Sequence, residues 1–191
     1  MAIQRCEWAH GSQAMLDYHD HVWGVPVHDD RTLFEFLILE GFQAGLSWST
    51  ILNKQENFRK AFDNWDIEKV AHYDEGKISS LLQDPGIVRN RLKIKAAITN
   101  AQGVLNIQKE GSTFDQWLWA YTGFKTIVHK AAKFSDLPTH DELSDMISRD
   151  LKKRGFRFVG TTIIYSFLQA VGIINDHLTS CYRYKEINHE H

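Results

Sequence analysis

Apolar residues recur along this chain at helical intervals, and nowhere with the strict alternation of a half-buried strand, so the pattern predicts an all-α fold. Asp29 and Asp30 can cap a helix through Leu33-Phe-Glu-Phe-Leu-Ile-Leu-Glu-Gly-Phe-Gln-Ala-Gly45. That segment is apolar nearly all round, as a core helix is, and Glu40 continues its 33, 37, 40, 44 stripe. Trp48 opens a second helix through about Phe62, and Asp66-Ile-Glu-Lys-Val70 starts a short one. Gly86 leads into a long helix with Ile87, Ile94, Ala97, Ile98 and Ala101 on one face. Thr139 or Asp141 caps a further helix ending at Gly155, and a final apolar helix runs from about Thr161 to Ile174.

With 191 residues, 43% hydrophobic and 24% charged, the chain has the makings of one soluble globular unit. Only Pro26, Pro85 and Pro138 interrupt it, and no linker or repeat divides it, so we expect a single domain over residues 1–191. The first residues lack the charged-then-apolar pattern of an export signal, and no apolar run approaches a membrane span. The expectation is a cytoplasmic protein with reduced thiols and no membrane partner. A formal charge of −2 argues mildly against nucleic acid as a partner, which turns attention to local clusters. Arg89, Arg91, Lys93 and Lys95 follow the Asp84-Pro85-Gly86 turn, and Lys152, Lys153, Arg154 and Arg157 surround Gly155. Both sets fit solvated helix faces. The first also fits a DNA-backbone site, because a tight turn before a helix N-terminus presents N–H groups to phosphate. Gly86, Arg89 and Arg91 are the candidate contacts.

Cys6 and His19 near one end, with His177 and Cys181 near the other, form a set of four ligands that would fill a tetrahedral zinc shell. The His177-x-x-x-Cys181 spacing suits one turn of a helix, whereas Cys6 and His19 must be joined by a loop and the start of a helix. Two unrelated thiols or a disulfide between the only two cysteines are the alternatives. Glu40 on an apolar stripe needs a partner or a purpose, unless its head reaches solvent or a lysine. Trp8, Tyr18, Trp23 and Trp48 crowd the N-terminal part, either as core or as the flat walls of a cavity. Flat rings and one carboxylate suit a nucleobase.

Tyr18-His-Asp-His-Val-Trp-Gly-Val-Pro26, Leu39-Glu-Gly-Phe-Gln-Ala-Gly-Leu-Ser-Trp48, Leu151-Lys-Lys-Arg-Gly-Phe-Arg-Phe-Val-Gly-Thr-Thr162 and Asn175-Asp-His177 stand in that order between Cys6 and Cys181. Together they resemble the 3-methyladenine DNA glycosylase I family over nearly the whole chain. The resemblance implies a helix-hairpin-helix glycosylase fold, with the hairpin part at about 30–110 and the terminal segments forming a lobe clipped by one structural zinc on Cys6, His19, His177 and Cys181. It implies hydrolysis of the N-glycosidic bond of 3-methyladenine in alkylated double-stranded DNA, giving the free base and an abasic site without strand cleavage. By the same likeness Glu40 bonds the extruded base, Trp48 stacks on it, Tyr18 and Trp23 line the cavity, and Leu46 helps fill the vacated stack. A monomer used at the bacterial nucleoid is the implied setting. Val22, Met15 and Phe42 depart from the family pattern, the last two where they bear on the pocket lining. A DNA-binding module without excision and a zinc hydrolase are the competing classes, and a shell of four protein ligands leaves a hydrolytic water no place.

Overall fold

The computed structural model describes residues 3–189, and helices make up almost all of its regular structure. In chain order they are α1 (Gln13–His21), α2 (Asp30–Gln43), α3 (Trp48–Leu52), α4 (Gln55–Ala61), α5 (Ile67–Ala71) and α6 (Glu75–Gln83). They continue with α7 (Arg91–Lys109), α8 (Phe114–Trp119), α9 (Glu142–Lys153), α10 (Thr161–Ala170) and α11 (Tyr182–His189). Helix α2 is the central post, capped by the Asp29 carboxylate on the Thr32 N–H at 2.8 Å. Every residue from Leu33 to Phe42 is buried, against α3, α7, α8 and α10. Burying each Leu or Phe on it contributes about 1.5–3 kcal/mol, which is why so apolar a segment seeks the centre. Asp141 rather than Thr139 starts α9, accepting the Ser144 N–H at 2.7 Å.

Three expected boundaries move. The helix expected over Trp48–Phe62 is two, because the chain turns at Asn53 and Lys54; α4 then carries Phe58 onto Phe42, ring centres 4.8 Å apart. The last apolar helix stops at Ala170, where Gly172 takes a φ of +75° and the chain reverses. Beyond it Ile174–Asn175 (β2) pairs in parallel with Ile127–Val128 (β1), a two-residue exception to the all-helical reading. That pairing also removes the expected helix at His177–Cys181. The backbone there bonds to the preceding strand segment instead of to itself: His129 N–H donates to Asn175 O at 3.1 Å, and Thr179 N–H to Ala131 O at 2.9 Å. Cys181 is brought round by a turn, its N–H on Leu178 O at 2.7 Å.

Helices α6 and α7 pack together across a tight turn. The Asp84 carboxylate takes the Gly86 N–H at 2.7 Å, and Asn90 caps α7 by accepting the Lys93 N–H at 3.1 Å. Lys93, counted above with the basic cluster, is instead buried. Its ammonium donates to Phe42 O at 2.8 Å and Ala44 O at 2.6 Å, closing the C-terminal carbonyls of α2. Burial pushes its pKa down.

Candidate functional site: an aromatic cavity beside a buried cysteine and histidine cluster

Cys6, His19, His177 and Cys181 come together as expected, all buried, with one ligand atom from each within 4.8 Å of the others. His19 reaches the site from the end of α1 rather than from its start. His19 Nε2 lies 3.4 Å from Cys181 Sγ, and His177 Nδ1 lies 3.7 and 3.5 Å from the sulfurs of Cys6 and Cys181. A tetrahedral ion with bonds of ~2.1 Å to nitrogen and ~2.3 Å to sulfur needs nitrogen and sulfur about 3.6 Å apart. The donor set therefore fits a metal ion. The outward ring nitrogens are occupied too: His19 Nδ1 faces Asp20 at 2.8 Å, and His177 Nε2–H donates to Trp23 O at 3.0 Å. Arg5 grips Asp20 through Nε at 2.9 Å and a terminal nitrogen at 2.7 Å, holding that carboxyl well below the usual range. The two thiols act on each other, their mutual hydrogen bond pushing Cys181 down and Cys6 up, so the pair by itself favours a single thiolate, at Cys181. Gly24 suits this position, because its φ is +81° and a Cβ would stand a tight 3.1 Å from the His177 ring.

Residues that adjoin the cluster make one wall of a cavity of about 230 Å³. Tyr18 precedes His19, Trp23 is the residue whose carbonyl holds His177, and the Trp8 ring meets His19 edge-on at 5.3 Å; all three aromatics line the cavity. Trp48 stands across, its ring 5.2 Å from Tyr18. Glu40 opens onto this space from α2. It is 4% exposed and makes no hydrogen bond or ion pair with any described residue, so no lysine pairs with its head, which faces the cavity. Desolvation alone pushes its carboxyl up to about 8. Burial, with Glu40 nearby, holds the Tyr18 hydroxyl well above its ordinary pKa, so it stays a donor.

A model of the family described as methyladenine glycosylase matches residues 8–184. The chain belongs to that family. Its similarity to DNA-3-methyladenine glycosylase 1 of Escherichia coli is 46% identity over 179 residues, covering 94% of this chain and 96% of that one. DNA-3-methyladenine glycosylase of Haemophilus influenzae is 41% identical over 177 residues, covering 93% and 96%. A solved structure of 3-methyladenine DNA glycosylase I from Staphylococcus aureus, concerned with 3-methyladenine recognition, matches with a TM-score of 0.91 at 39% identity, covering 95% and 97%.

In this methyladenine glycosylase Glu40, Trp48, Tyr18 and Trp23 share one cavity, while the four DNA-contact candidates, Leu46, Gly86, Arg89 and Arg91, lie outside it. Leu46 is 40% exposed on the loop after α2. Lys93 ties that loop to α7, just beyond the Gly86 turn that carries Arg89 and Arg91. Arg91 is held by Glu75 at 2.9 Å, whereas Arg89 is exposed and makes no ion pair among the described residues. Of the departures, Met15 does line the cavity, but Phe42 turns away to pack on Phe58 and Phe62. Trp8 lines the cavity as its place among the N-terminal aromatics suggested, whereas Gln43, Phe134, Ser166 and Gln169 join the lining without having been expected there. Ser166 and Gln169 had a signal: polar residues three apart on the otherwise apolar α10 share a face.

Proposed function

We propose that this methyladenine glycosylase hydrolyses the N-glycosidic bond of 3-methyladenine in alkylated double-stranded DNA, releasing the base and leaving an abasic site. The observation that carries the reading is Glu40, a buried carboxyl without a partner, set in a cavity walled by aromatic rings. The names of the Escherichia coli and Haemophilus influenzae relatives, and the subject of the Staphylococcus aureus structure, point to the same substrate.

Methylation at N3 makes the adenine ring cationic and a good leaving group, so the enzyme's task is to extrude, desolvate and select it. Extrusion costs a few kcal/mol, and less for a poorly stacked lesion. With its pKa raised to about 8, Glu40 is largely protonated in the empty pocket at neutral pH. A cationic ring favours its ionised form, and neutral adenine does not, so the charge pair forms only with the damaged base. Trp48 supplies the stacking face, and Tyr18 and Trp23 close the walls. Leu46 fills the stack left by the extruded nucleotide, while the α6–α7 turn acts as a helix-hairpin-helix, with Gly86, Arg89 and Arg91 on the DNA backbone. No lysine lines the cavity among the described residues, in keeping with a monofunctional enzyme that forms no Schiff base.

The ion at Cys6, His19, His177 and Cys181 is zinc in this reading, one per chain and structural, since four protein ligands complete its shell. The chain acts as one glycosylase domain and as a monomer, in the cytoplasm at the nucleoid. Among the described residues no helix is long and apolar enough to cross a membrane. The test is chromatography of bases released from methylated duplex DNA. Wild type should release 3-methyladenine, and Glu40→Gln should lower that release on the order of 100-fold while still binding DNA. Undiminished release by the variant would overturn the role of Glu40.

A further inference from the structure

The cavity contains a second polar group whose orientation is fixed from behind. Gln169 on α10 lines the space shared by Glu40 and Trp48, and its Nε2 donates to the Asp176 carboxylate at 2.7 Å. Asp176 is 1% exposed and also receives the Tyr165 hydroxyl at 2.6 Å and His129 Nδ1–H at 2.7 Å. A carboxylate offers acceptors only, so the Gln169 amide meets it through its NH2 end and in no other way. With its nitrogen held on Asp176, the amide oxygen is the acceptor Gln169 has left to offer, and it has no partner among the described residues.

We propose that Gln169 distinguishes adenine from guanine among the methylated bases, with Asp176 as the positioning residue that holds its oxygen outward. The inference rests on the base-excision reading above and goes beyond it. Glu40 selects for positive charge, but both 3-methyladenine and 3-methylguanine are cationic in DNA, so charge does not separate them. They differ at C2, where guanine alone carries an amino group, and at C6, where adenine carries an amino donor and guanine a carbonyl oxygen; the C6 difference is the one a fixed acceptor reads. A fixed acceptor pairs with the first and meets the second oxygen to oxygen, a mismatch that a freely rotating amide would relieve by flipping. The locked network behind Gln169 removes that relief.

The experiment uses DNA methylated with dimethyl sulfate, which carries both lesions, and reads the ratio of 3-methyladenine to 3-methylguanine released by the full chain. A general defect in folding or DNA binding lowers both yields and leaves the ratio alone. Wild type should favour 3-methyladenine strongly. Gln169→Met keeps the length of the side chain but not the acceptor, and should reduce the ratio by about tenfold or more, mainly by slowing adenine release. Asp176→Asn accepts either end of the amide and should reduce the ratio by a smaller factor, through faster guanine release. A ratio unchanged in Gln169→Met, or a wild type that releases the two bases equally, would overturn the proposal while leaving excision of 3-methyladenine in place. Wild type that releases neither base would bring down the excision reading itself, and this inference with it.

Discussion

Two buried polar regions lie side by side in this protein, and they differ in how completely their atoms are matched. In the cysteine and histidine cluster both outward ring nitrogens have partners, and the four inward atoms converge on a single point. In the cavity next to it Glu40 has no partner, and the indole nitrogens of Trp8 and Trp48 are buried without one. The contrast recurs within α2. Glu35 and Glu40 are 5% and 4% exposed, yet Glu35 accepts hydrogen bonds from Arg59 and Gln55, both at 2.9 Å, and Glu40 accepts none. A buried group left unmatched costs about 1–3 kcal/mol, more if it is charged. Trp65 Nε1 is unmatched in the core as well, so a missing partner does not by itself make a site; Glu40, Trp8 and Trp48 differ in lining one cavity.

The largest effect should come from opening the matched region. In the proposed shell Cys181→Ser removes one of four ligands, and metal content should fall far below one ion per chain. Because binding energy at such a site is folding energy, the melting temperature should drop on the order of 10 °C or more. Elemental analysis and scanning calorimetry, with and without chelator, check both. A folded variant with full metal occupancy and an unshifted melting point would mean that Cys181 is not a ligand. Since Tyr18, Trp23 and Trp8 all lean on the cluster, the cavity should lose its shape together with the ion.

A smaller effect, of opposite sign, should follow from relieving the unmatched region. Burial raises the Glu40 carboxyl from its ordinary 4.5 to about 8. Below pH 4.5 it is neutral both folded and unfolded and costs nothing. Between pH 4.5 and 8 the unfolded chain releases the proton while the folded one keeps it, so this group's contribution to stability falls as pH rises, and above about 8 the loss is complete. Glu40→Gln is free of that loss. Its melting temperature should match wild type near pH 5 and exceed it by roughly 5–10 °C at pH 9. A difference that does not change with pH would mean that Glu40 is solvated in the empty pocket.

Much of this was legible from side-chain chemistry and periodicity. The stripe through Leu33, Leu37 and Glu40 placed a carboxylate on a buried face, and the ligand types at positions 6, 19, 177 and 181 suggested the cluster that the fold brings together, one that could hold a metal ion. What periodicity does not carry is where hydrogen bonds go when a segment leaves its helix. The path of His177 to Cys181 depends on pairing with residues almost fifty positions earlier, which no local pattern reveals. Lys93 was hidden for a related reason: between Arg91 and Lys95 it reads as one more surface cation, and only the packing of α7 on α2 buries it. Gln169 is a polar residue on an apolar helix, and what holds it there appears only once Asp176 stands behind it.

The distinction between matched and unmatched groups extends to the surface, where its effect should be smallest. Glu75 holds both Arg91 and Lys95 at 2.9 Å, so much of their combined charge is offset, while Arg89 makes no ion pair among the described residues. If the α6–α7 turn meets DNA, Arg89 should do more of the work, although Arg91 is the one at the helix start. Each phosphate neutralised contributes about one unit to the slope of log affinity against log salt. Arg89→Ala should weaken binding to a duplex several-fold and flatten that slope by about one, measured by fluorescence anisotropy across a salt series. Arg91→Ala should change both by less, because removing it also frees Glu75 to hold Lys95 alone. A larger loss from Arg91→Ala than from Arg89→Ala would show that the ion pair with Glu75 opens on binding, and that matching at the surface, unlike matching in the core, does not predict which group is in use.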